Sequence, residues 1–154
     1  MTLPPKGIIL VVSEVFQRGY KVLLGFFKAI LGICETKPLT FGWEVRNAGL
    51  VVNSEGLAGI DNLGGATYLQ GNGLENQVLL VKIGEGDYLA FENKCTHGGR
   101  KLDPKADHSG LRCCSVNHST YDLEGNNLTG PAKGPATRYQ TVFENGELKV
   151  ILAS

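Results

Sequence analysis

Cys95-Thr-His97-Gly98-Gly99 and Cys114-Ser-Val-Asn-His118-Ser119-Thr120-Tyr121-Asp122 are the two stretches on which the reading of this chain turns. Each carries a cysteine and then a histidine inside a short polar segment. The chain has four cysteines and three histidines, and all of them except Cys34 fall between positions 95 and 118. Cys95 and His97 are separated by one residue, so a loop that bends between them presents sulfur and imidazole to one centre. A secreted disulfide framework would spread its cysteines along the chain, and adjacent Cys113 and Cys114 cannot easily brace two distant loops. Thiolate together with imidazole suits a soft or borderline metal and disfavours calcium or magnesium. Metal binding is the reading these residues favour.

The flanking sequence is β-forming. Val78–Ile83 is a β-branched and aliphatic run, Gly84-Glu-Gly-Asp87 is turn chemistry, and Tyr88–Glu92 is a second run feeding directly into Cys95. Together they predict a hairpin. Arg138–Phe143 and Leu148–Leu152 enclose an Asn145-Gly146 turn and predict a closing hairpin. The fold expected is mainly β, a small antiparallel barrel or sandwich with both ligand loops at one end. His108 sits in a turn-like insert between those loops and is expected in solvent. Cys113 is expected as a buried strand residue beside its neighbour, and Gly98 and Gly99 as points where backbone amides approach a bound group.

Composition agrees. The chain has 154 residues, 21 of them glycine, 42% of them hydrophobic and only 19% charged. This is enough apolar material to close a core and too little charge for a disordered chain. Lys and Arg number 15, as do Asp and Glu, so no cationic excess is available to replace phosphate counterions. Nucleic acid is therefore excluded as a partner.

The N-terminal stretch has a different period. Val12, Val15, Phe16, Val22, Leu23, Phe26, Phe27, Ile30 and Leu31 fall on one side of a helix, and Glu14, Arg18, Lys21 and Lys28 on the other. Residues 1–35 are expected to form an amphipathic helix that lies on a membrane surface or packs into a partner subunit. Packing onto its own domain and true bilayer spanning remain open, the latter opposed by the charges that interrupt the run. No cleavable export signal is apparent. That leaves a peripheral membrane, cytoplasmic or organelle-interior location. Residues 36–76 read as a glycine-rich arm with short strands at Thr40–Val45 and Gly49–Asn53, and residues 77–154 as the ligand-bearing domain.

The region from 77 to 152 resembles the Rieske [2Fe–2S] domain. The resemblance is carried by Cys95-Thr-His97-x-Gly99, by Cys114 through Tyr121-Asp122, by Gly130-Pro131-Ala132 and by the two hairpins. It implies that Cys95 and Cys114 hold the inner iron of a [2Fe–2S] cluster, and His97 and His118 the outer iron. It also implies that Ser119 and Tyr121 donate hydrogen bonds that raise the potential, and that reduction couples to protonation of the imidazoles. Quinol-oxidising relatives carry a disulfide between the two loops. The matching positions here are Arg100 and Val116, so that bridge is absent and the potential stays undecided.

The second loop departs from the family's Cys-x-x-His spacing. Counted from Cys114, that rule lands on Asn117, with His118 one place late. Three readings stand. His118 ligates through a one-residue bulge, which is the reading preferred. Asn117 occupies the position and no cluster is held. Or Cys113 is the thiolate.

The function implied is one-electron transfer by a subunit of a membrane-associated redox complex, with redox proteins as partners and no substrate turned over by the chain alone. Two alternatives are a cluster-free structural or assembly subunit and a Cys2His2 zinc module on the same four residues.

Overall fold

The computed structural model describes residues 6–31, 33–47 and 49–152, with side-chain surroundings given from 17 onward apart from residue 29. Helix α1 (Lys6–Leu31) leads the chain. Strands β1 (Lys37–Pro38), β2 (Trp43–Arg46) and β3 (Gly49–Val52) follow, then a short helix α2 (Ser54–Leu57), a 3-10 turn (Ala58–Ile60) and β4 (Ala66–Leu69). The hairpin strands are β5 (Val78–Lys82) and β6 (Tyr88–Glu92). Between and after the ligand loops come β7 (Leu102–Pro104), β8 (Leu111–Cys113), β9 (Thr120–Tyr121) and β10 (Asn127–Thr129). The chain closes with β11 (Arg138–Glu144) and β12 (Glu147–Ile151).

The strands build two sheets. One has eight strands in the order β1-β4-β5-β6-β11-β12-β3-β2, and the other has four in the order β10-β9-β8-β7. All pairings are antiparallel except β1 on β4. The expected mainly β fold is the one observed. Both predicted hairpins form, and Asn145 (φ 53°) with Gly146 (φ 78°) takes the positive dihedrals that a two-residue turn of this kind requires.

Why β5 reads as an unbroken apolar run is visible in its surroundings. Val78 and Leu80 face one core with Leu50, Val52, Leu69 and Val150. Leu79 and Val81 face a second core with Phe91, Leu102, Leu111, Cys113 and Tyr121. β6 divides in the same way, Tyr88 and Ala90 to the first core, Leu89 and Phe91 to the second. Successive side chains point to opposite faces, and here both faces are buried, so no polar residue is admitted until Lys82.

The stretch read as a glycine-rich arm or strand segment forms strands. Residues 36–76 supply β1 to β4 to the large sheet, and Leu50, Val52, Leu57, Ile60 and Leu69 are buried in the first core. Its apolar residues are scattered between glycine turns, so no long period announces them, yet each one lands on the same buried face. The two short strands expected there appear as β2 and β3.

The described half of α1 leaves its apolar side chains uncovered. Of the described side chains from Gln17 to Leu31, only Lys28 is partly covered, while Val22, Leu23, Phe26, Phe27 and Leu31 are more than half exposed. Val12, Val15 and Phe16 lie outside the described side chains. No described helix is long and apolar enough to cross a membrane.

After α1, Cys34 is joined by a disulfide to Cys114, Cα to Cα 5.5 Å. The next two backbone N–H groups, of Glu35 and Thr36, donate to the Asp103 carboxylate at 2.7 and 3.1 Å. Asp103 is itself buried on β7. The connector between helix and β domain is thus fixed covalently and by hydrogen bonds.

Candidate metal centre

The first ligand loop leaves β6 at Asn93, whose side-chain oxygen accepts from Leu102 N–H at 2.8 Å. Cys95 N–H donates to the Arg100 carbonyl at 2.7 Å, and Gly99 N–H to the Cys95 carbonyl at 2.9 Å. Gly99 takes φ 68°, a left-handed value that closes this tight turn. The result buries the Cys95 sulfur and leaves His97 exposed on the outside of the loop.

The second loop runs from β8 to β9. Cys113 N–H donates to the Ser119 carbonyl, and Cys114 N–H to the Lys101 carbonyl, which ties this loop to the end of the first. His118 is exposed and its Nδ1 donates to the Cys113 carbonyl at 3.0 Å. The third segment, Gly130-Pro131-Ala132, lies against it. Ala132 N–H donates to Ser119 Oγ at 3.0 Å, and a Cβ on Gly130 would stand 2.6 Å from both the His118 carbonyl oxygen and Ser119 Cα.

Under these loops the polar groups converge on sulfur. Tyr121 Oη lies 3.2 Å from Cys95 Sγ and accepts from Thr96 N–H at 3.3 Å, while Thr96 Oγ1 donates to the Gly134 carbonyl at 2.9 Å. Burial opposes a thiolate at Cys95. Hydrogen bonds from Tyr121, the His97 amide, Cys113 and Ser119 outweigh it and bring that thiol below its usual range. Burial pushes Cys113 up to about 11, eased by Ser115 and reinforced by Cys95. Burial and the bond to Cys95 raise Tyr121 as well. Cys95 and Cys113 are thus two free cysteines buried in one core with Tyr121.

The expected residues therefore divide. Cys95, Ser119 and Tyr121 are buried together, and His97 and His118 are exposed at the loop surface. Cys114 stands apart: its sulfur is bonded to Cys34, while the adjacent Cys113, a free buried strand residue, shares the core of Cys95. Asn117 is exposed, and its carbonyl accepts from Ser115 Oγ at 3.2 Å. Cys34 is the residue that sequence reasoning missed. The available signal was arithmetic: four cysteines less two ligands leaves two that can pair. Among the described residues, the three donors that lie within 4.8 Å of one another belong to Cys34, Asp103 and Cys114. Two of them are the disulfide and the third is occupied by backbone N–H groups, so this group is a structural clamp. Cys95 and Cys113 are free and buried, His97 and His118 are exposed, and these donor types suit a centre that takes sulfur on one iron and nitrogen on the other.

The family model for the Rieske [2Fe-2S] domain matches residues 57–143. The chain belongs to that family, its cofactor is a Rieske-type [2Fe–2S] cluster, and its role is electron transfer. Among solved structures it is similar to the plasma membrane Rieske protein of the cyanobacterium Synechocystis PCC 6803, at 26% identity and TM-score 0.46 over 54% of this chain and 84% of that one. The ferredoxin of carbazole 1,9a-dioxygenase from Nocardioides aromaticivorans IC177 matches at 22% identity and TM-score 0.49 over 58% and 86%. A structure of the carbazole-bound oxygenase and ferredoxin complex of carbazole 1,9a-dioxygenase matches at 18% identity and TM-score 0.52, over 76% of this chain and 30% of that one. No curated protein matches the chain.

Proposed function

We propose that this chain is the one-electron carrier subunit of a membrane-associated redox complex, with Cys95 and Cys113 holding one iron and His97 and His118 the other. The observation behind this reading is the donor set: two free sulfurs buried in one core, and two exposed imidazoles on the adjoining loops. When bound, the cluster supplies reversible one-electron chemistry. The protein's own groups do the rest. Phe91, Leu102, Leu111 and Tyr121 exclude water from the sulfur side. Tyr121 holds its proton toward Cys95, which disperses negative charge there and favours the reduced state. Ser119 accepts from Ala132, leaving its own proton free for a second donor bond toward the sulfur side. His97 and His118, at the exposed surface, stand where a redox protein partner docks.

Membrane association is assigned to α1. Its described half carries Arg18, Lys21 and Lys28 with no acidic residue, beside the exposed Val22, Leu23, Phe26 and Phe27. Apolar surface next to cations suits an anionic bilayer surface.

Protein purified without oxygen is the test. Two irons per chain and a Rieske-type EPR signal on reduction are expected. Stoichiometric zinc without iron overturns the reading in favour of a zinc module, and an intact metal-free fold in favour of an assembly subunit. A variant lacking residues 1–31 is expected to keep the signal and leave the membrane fraction; unchanged fractionation removes the anchor.

A further inference from the structure

Cys113 ends β8 and Cys114 follows it in the loop, and iron can use only one of them. Nothing in their residue type distinguishes them. The structure distinguishes them by Cys34, which takes Cys114 into a disulfide from a connector held independently by Asp103. With Cys114 bonded to the connector, Cys113, the last residue of β8, is fully buried in the core that holds Cys95.

We infer that Cys34 is a positioning residue for the cluster: its disulfide with Cys114 selects Cys113 as the second thiolate ligand. The inference rests on the ligand reading above. Without the disulfide, the second loop offers two competing thiolates in two registers. From Cys113 to His118 the loop is one residue longer than from Cys114, so each choice seats His118 differently. The covalent link removes that ambiguity before metal arrives. Its formation is ordinary exchange with a disulfide carrier, small molecule or protein. One thiolate of the pair attacks the carrier, and the other displaces the carrier sulfur. Two electrons and two protons pass to the carrier, which leaves as a dithiol. A cleft of about 270 Å³, bounded by Lys28, Ile33, Arg112, Cys113, Cys114 and His118, gives a small reductant access to the bond in the folded protein.

The test is a set of cysteine-to-serine variants of the full chain, read by iron content and EPR, with non-reducing peptide mapping of the wild type. Mapping is expected to find residue 34 joined to residue 114. Cys113→Ser is expected to lose the iron and Cys114→Ser to keep it. Cys34→Ser is expected to replace one homogeneous signal by two overlapping ones with reduced iron per chain. The double variant Cys34→Ser with Cys114→Ser, which lacks both the bond and the competitor, is expected to recover the single signal. A purely structural tether would leave the double variant as impaired as Cys34→Ser, and that result overturns the inference. So does a wild-type protein with the EPR signal in which Cys34 is alkylated without reductant, even though the cluster reading then stands. An iron-free wild type with the 34–114 link intact overturns the cluster reading, and the selecting role falls with it.

Discussion

The Tyr121 hydroxyl sits 3.2 Å from the Cys95 sulfur, across 26 residues of chain and from the opposite sheet. A donor aimed at a sulfur ligand stabilises whichever oxidation state carries more negative charge there. Tyr121→Phe removes the donor and leaves the ring in place. The expected outcome is unchanged iron content and a lower midpoint potential, by about 20–60 mV if the bond contributes the usual ~0.5–1.5 kcal/mol to a one-electron couple. A redox titration followed by EPR measures it.

His118 and Asn117 present the second-loop histidine question directly. His118→Ala is expected to abolish the cluster signal, because the loop then has no imidazole. Asn117→Ala is expected to leave it intact, since only the Asn117 carbonyl is engaged, and by Ser115. Metal analysis of the two purified variants decides between them.

Gly130 holds the proline-containing segment against the second loop at φ 83°. Gly130→Ala adds a Cβ at 2.6 Å from the His118 carbonyl oxygen and Ser119 Cα, both backbone atoms that cannot move aside. The strained dihedral costs on the order of 1 kcal/mol, and displacement of the loop adds to it. Lower iron occupancy and a reduced urea midpoint are the expected readouts.

Asp103 accepts from two backbone donors in the connector. Asp103→Ala leaves both without their partner and is expected to destabilise the domain by about 2 kcal/mol. Urea denaturation with the disulfide intact measures this. The same substitution is expected to slow re-formation of the 34–114 bond after reduction, because the connector is no longer held in place for it.

Much of this arrangement is legible locally. Asn145-Gly146 demands the turn it makes, and Val78–Ile83 can only be a strand buried on both sides or a short buried helix, which the turn chemistry of Gly84–Asp87 resolves. Cys95 and His97 are close enough in sequence to mark their own loop. What escapes local reading is whatever depends on distant closure. The Cys34–Cys114 link spans 80 residues and leaves no periodic trace. Residues 36–76 looked like an arm because Leu50, Leu57, Ile60 and Leu69 become a common face only after β3 and β4 take their places in the sheet.

The alternation along β5 supplies a further prediction. Leu79→Ala and Leu80→Ala are each expected to cost about 2–5 kcal/mol, since both side chains are fully buried. They are expected to differ in the EPR spectrum. Leu79 lies in the core that contains Cys95, Cys113 and Tyr121, and Leu80 in the core that does not. Leu79→Ala is expected to shift the signal, and Leu80→Ala to preserve it at equal loss of stability.

That one strand is thus a party wall. Two rooms lean on it, one that merely stands and one that conducts, and neither has plaster of its own on that side. A mason who thickens a brick for the first room moves the brick behind it in the second. Improvements in sturdiness made along this course would register as drift in voltage, and the cheapest repairs to this protein will be found elsewhere, on walls that face the weather.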